Sequence, residues 1–296
     1  MVIGIIALLI GLLLPALSGV RTASKKTDTE GRMKRLGDAS DAFALQANTY
    51  PGQITERRLC SNDDQHYQEF SGTENALLDL LGGTTDYGTD TFRLAGVDIY
   101  RQDIGRGPTV AGQKVDAFMQ VDPDELIYVN GQRGQQEVED PADPTSYRNR
   151  RTFPDFVDAF GNPIVFWRNS GQRPENSTDP ELVLPAASTN NAAPFYAASF
   201  FSYTESESLS IAGKPSSGVN QKALSWLSTD RGTNGLRLAE ALVEHGTLRN
   251  NPRGAYVIFS AGPDRVFFSI NEVETLSSDA HDDLDAFDDL VQSGGS

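Results

Sequence analysis

Residues 2–17, VIGIIALLIGLLLPAL, contain no polar side chain, and Ser18, Gly19 and Val20 carry the run on to Arg21. A helix that is apolar all round belongs in lipid or among other helices, not on a surface. About nineteen residues at about 1.5 Å each nearly span a bilayer core. Pro15 removes one backbone hydrogen bond and predicts a kink, and Gly4, Gly11 and Pro15 suit a membrane helix better than a soluble one. A buried helix of a soluble core would want a polar face, which is missing. A cleaved secretory signal has Ala16 and Ser18 in its favour but lacks a basic start. A retained membrane helix is the reading that the next residues favour.

After Val20 the chain turns polar without losing its helical period. Val20, Ser24, Thr27, Gly31, Lys34 and Gly37 recur at three- and four-residue spacing, and Leu36, Ala39, Phe43 and Ala47 form an apolar stripe. Tyr50-Pro51-Gly52 closes the pattern, because proline disfavours helix in the residue before it. One helix from residue 2 to 48 would run about 70 Å. Its membrane or assembly half is residues 1–20, its soluble half 21–50, and residues 51–296 form a head.

Further elements follow from local signals. ENALLDLL (74–81) is a short helix stopped by Gly82-Gly83, and LIYV (126–129) a strand ending at Asn130-Gly131. Gly161-Asn162-Pro163 is a tight turn into the strand IVFW. The run from Ala255 to Phe268 reads as strand, Gly-Pro-Asp turn, strand, a hairpin. FYAASFFSY (195–203) predicts a strand and GLRLAEALVEHG (235–246) a helix, while 131–151 and 169–192 have loop composition.

Charge sharpens the picture by where it lies. The chain of 296 residues carries 25 Lys and Arg against 41 Asp and Glu, a net −16 that makes nucleic acid a poor partner. Residues 21–36 nevertheless hold six basic and two acidic side chains, a collar of +4 beside the apolar run. Such a collar ordinarily marks the cytoplasmic side of a membrane. The last eighteen residues hold six Asp and no Lys or Arg. A single cysteine, Cys60, forms no internal disulfide, and with His66, His245 and His281 scattered there is no zinc-ligand spacing. No G-x-S-x-G elbow, HExxH pair or G-x-G-x-x-G loop occurs, so the expectation is a protein that is not an enzyme.

The apolar run, the polar amphipathic continuation and the YPG stop together resemble the N-terminus of type IV pilin-like proteins, specifically type II secretion pseudopilins. Asp158-Ala159-Phe160-Gly161-Asn162-Pro163 is similar to the Asp-Pro-Trp-Gly-Asn-Pro segment of major pseudopilins. Ser260-Ala261-Gly262-Pro263-Asp264 is similar to their Ser-x-Gly-x-Asp segment. The resemblance covers about residues 1–52, 155–168 and 255–290, leaving large insertions at about 53–154 and 169–254.

It implies an α+β fold: a long N-terminal helix serving as membrane and filament spine, then a C-terminal antiparallel sheet head. It implies a filament subunit of a type II secretion or type IV pilus-like system, anchored once in a bacterial inner membrane with its head in the periplasm. Implied partners are further copies of the chain, other pseudopilins and an inner-membrane secretion platform. Ile5, Ile6, Leu9, Leu13, Pro15 and Leu17 would be the assembly residues. The family's N-methylated Phe and the Glu four residues later are missing, which implies that Met1 is a start assigned too late. Two other classes are a single-pass anchored binding protein with an extracytoplasmic head, and a tethered hydrolase.

The acidic tail is either a solvated end or a calcium site, since hard cations collect carboxylate oxygens. Major pseudopilins hold calcium between the segment matched by Ser260–Asp264 and a following acidic loop. Carried over, the ligands are Asp264, Asp282 and Asp283, with Asp288 in reserve. The long FFSINEVETLSSDAH link and Arg265 depart from the family's short Gly-rich pattern.

Overall fold

A 46-residue helix, α1 (Val2–Ala47), opens the chain, and the head is built against its C-terminal half. This is a computed structural model that describes the backbone of residues 2–52, 72–86, 97–127, 155–168, 238, 244–245, 248–264, 267–269, 271–277 and 283–295. In α1 the described side chains begin at Leu17. Ile5, Ile6, Leu9, Leu13 and Pro15 therefore lie outside them. Among the described residues, no helix is long and apolar enough to cross a membrane.

The upper half of α1 is amphipathic for a clear reason. Met33, Leu36, Ala39 and Phe43 are buried, and Val20, Ser24, Thr27, Gly31 and Lys34 face solvent. Gly37 departs from that outward set. It is buried because the Tyr256 hydroxyl donates to its carbonyl oxygen at 3.0 Å. Asn48 ends the helix in the left-handed conformation (φ 56°), its N–H returning to the Ala44 carbonyl at 2.9 Å.

The second helix, α2 (Gly72–Leu81), buries Ala76, Leu77, Leu78, Leu80 and Leu81 in the same core as α1. Gly82 follows at φ 77°, and a Cβ there would run into the Gly107 carbonyl, so both conformation and space require glycine. Strand β1 (Gly82–Asp86) pairs antiparallel with β2 (Val97–Ile104), and β3 (Thr109–Val110) with β4 (Gln113–Lys114). A single 3₁₀ turn at Pro123–Glu125 leads into β5 (Leu126–Ile127), which pairs with β6 (Asp155–Phe156). Residues 128 and 129 of the expected LIYV strand lie outside the described residues, as does 195–203.

The principal sheet is three-stranded and antiparallel, in the order β11 (Leu290–Gly294), β10 (Tyr256–Ser260), β7 (Val165–Arg168). Both of its faces are covered. Tyr256, Ile258 and Phe166 join the core against α1 and α2; Val257, Phe259 and Val165 join a second cluster with Leu238, Phe267, Phe268 and Phe287. Double coverage explains why YVIF shows no polar alternation, since successive side chains enter opposite cores. Phe166 stacks on Tyr256 at 5.3 Å and Phe259 meets Phe267 edge-on at 5.2 Å, one contact in each layer. The described structure is thus α+β.

Two local expectations are corrected. The hairpin expected through Phe268 does not form: β10 pairs with β11 and β7, and Phe267 and Phe268 turn inward to fill the second core. Phe268 takes a left-handed φ of 54°, incompatible with a continuing strand, and its N–H is held by Asp289. The helix expected over 235–246 includes Leu238, but Glu244–His245 is a strand (β8) that pairs with β9 (Leu248–Pro252). Gly246, the expected helix end, lies outside the described residues.

Candidate metal centre

The site grows out of the turn after β10. Gly262 sits at φ 63°, and a Cβ would strike the Asp288 carbonyl, so glycine lets the turn close onto the residues entering β11. The Asp264 N–H donates to Asp288 Oδ2 at 3.2 Å, and the Asp288 N–H donates to Glu272 Oε2 at 3.3 Å. Carboxylate oxygens of Asp264, Glu272 and Asp288 lie within 4.8 Å of one another. Oxygens held about 2.4 Å from one calcium ion can be that far apart. Asp264 and Glu272 are exposed and Asp288 is half-buried, which leaves an approach from solvent.

Asp289 supplies a fourth carboxylate from behind. Its Oδ2 accepts the Phe268 N–H at 3.0 Å, while its Oδ1, like Asp288 Oδ1, is sealed from solvent with no hydrogen-bond partner among the described residues. Burial pushes Asp289 well above the usual carboxylate range against the pull of the Phe268 N–H, and the charges of Asp288, Asp264 and Glu272 add to the rise. Burial, then the Asp288 charge, pushes Glu272 up to about 7. Asp288 is raised by burial and by Asp264, with Lys26 on α1 acting in the opposite sense. Sealed carboxylate oxygens such as Asp288 Oδ1 and Asp289 Oδ1 are costly when charged, and a proton or a hard cation can relieve them.

Of the residues expected to bind calcium, Asp264 and Asp288 are brought together here. Asp283 is buried elsewhere: both its oxygens accept the Ser277 N–H, at 3.0 and 2.9 Å. It is thus committed to the backbone and not to the cluster. Asp282 lies outside the described residues. Glu272 and Asp289 were not anticipated. Glu272 sits in the long link that departs from the family pattern, and its only signal was a carboxylate between two acidic turns.

A second polar node joins helix to head. Asp158, almost fully buried, accepts the Ser260 hydroxyl at 2.7 Å, the Phe160 and Asn162 N–H groups at 2.8 Å each, and Asn162 Nδ2 at 3.3 Å. Burial raises its carboxyl and these four donors oppose the rise. Arg32, buried on α1, donates to the Val157 carbonyl at 3.0 Å and to Asp28 at 3.0 Å, and lies 3.6 Å from Glu125. Arg35 also pairs with Glu125. His245 lies on β8, and Cys60, His66 and His281 lie outside the described residues.

No family model, curated protein or solved structure matches the chain.

Proposed function

We propose that the protein is a pseudopilin-like filament subunit of a type II secretion or type IV pilus-like system, with a pilin-like head. The observation that carries this reading is α1 itself: one helix whose first part is the apolar run and whose later part is a wall of the head's core. A subunit built so can wait with its apolar half in a membrane and then move it among the helices of neighbouring copies. Lipid and neighbouring helices are similarly apolar, so close packing and polar pairing must bias the move. The collar of Arg21, Lys25 and Lys26 offers that pairing to carboxylates of adjacent acidic heads. The same reading places the head outside the cytoplasm and makes a secretion platform in the inner membrane the partner.

Calcium at Asp264, Glu272 and Asp288 belongs to this proposal. The donor set is all oxygen, the charge is high, and Asp289 adds an unpaired oxygen behind it. The ion would tie the turn after β10 and the 271–277 segment to the start of β11.

Expression of the full chain with a secretion platform tests the assembly reading. Filaments visible by electron microscopy are expected, and Leu9→Lys or Leu13→Lys should abolish them while the head melts as before. Filaments that persist with a lysine at either position would overturn it.

A further inference from the structure

We draw no further inference here: the strongest candidate, the outward face of α1 from exposed Val20 through Ser24, Thr27 and Gly31 to exposed Leu45, carries nothing because nothing in the structure shows what covers it beyond the assembly contact already proposed.

Discussion

Charge is withdrawn from water at two places in the head, and the two are built on opposite plans. Where α1 meets the head, Arg32 sits among Asp28, Glu125 and two backbone carbonyls, and the Asp158 carboxylate receives four donors. At the corner between β10 and β11, the carboxylates of Asp264, Glu272 and Asp288 converge, and Asp288 and Asp289 each keep one sealed oxygen with no donor among the described residues. The first arrangement pairs every charge with a partner from the chain itself, and only Arg32 Nε and Asn162 Oδ1 have no hydrogen bond among the described residues. The second gathers like charges with no cation of the chain's own among its described members, and its exposed members Asp264 and Glu272 are open to water. Buried polar networks stabilise when every member is matched and destabilise when half are left over. The junction is therefore structural, and the corner is where solution conditions act on the fold.

The largest effect should come from breaking the node where α1 meets the head. Arg32→Ala removes the buried donor to the Val157 carbonyl and one of the two cations beside Glu125, Arg35 remaining, a loss of about 3 kcal/mol. Urea unfolding of the full chain in detergent should show that loss equally with and without calcium. Next is the corner. Calcium at a hundredfold excess over its dissociation constant should stabilise the fold by about 2.7 kcal/mol, read as a rise in Tm, and Asp288→Asn should remove the rise.

The pH dependence of that gain has a definite sign. Glu272 titrates at about 7 in the fold against an ordinary 4.5, so the cation-free fold holds a proton that the unfolded chain gives up. Its contribution to stability is complete below pH 4.5 and lost as pH rises through about 7. Calcium competes with the same proton, so the calcium-induced Tm rise should be larger at pH 8 than at pH 6. An equal rise at both would count against Glu272 as a ligand.

A smaller effect, of opposite sign in the two states, is expected at Asp289. Asp289→Asn keeps an acceptor for the Phe268 N–H and turns an orphaned oxygen into a donor facing carboxylates. The cation-free protein should gain about 1 kcal/mol in unfolding free energy, while its Tm response to calcium shrinks. The smallest effect belongs to the exposed Lys34–Asp38 pair, 2.7 Å apart on the outer face of α1. Lys34→Ala should cost about 0.3–0.5 kcal/mol, and less in high salt.

Legibility followed the range of the interactions. The later half of α1 was readable because a stripe at Leu36, Ala39 and Phe43 needs only the helical period. The Gly161-Asn162-Pro163 turn was readable too, since a tight reversal is specified within a few residues. The strand at Tyr256–Ser260 was seen, but its partners were not. The apolar Phe267 and Phe268 that looked like a second strand are core residues of a turn, and apolarity alone does not tell the two apart. In the acidic tail, composition announced the carboxylates without ranking them. Asp283, expected as a ligand, is occupied by Ser277, whereas Glu272 arrives from a loop.

What the sequence determined alone was the long helix, the placement of charge along it, the short helix stopped at Gly82 and an excess of carboxylates near the end. Each has a local cause: side-chain periodicity, a conformation that suits glycine, or plain composition. Only the tertiary structure decided that β10 lies between β7 and β11 and that Asp264, Glu272 and Asp288 converge. Backbone hydrogen bonds between strands are alike whichever strands they join, so pairing is settled by which side chains fill the two cores. The acidic corner follows from that pairing, because β11 beside β10 is what brings Asp288 to the Gly262 turn.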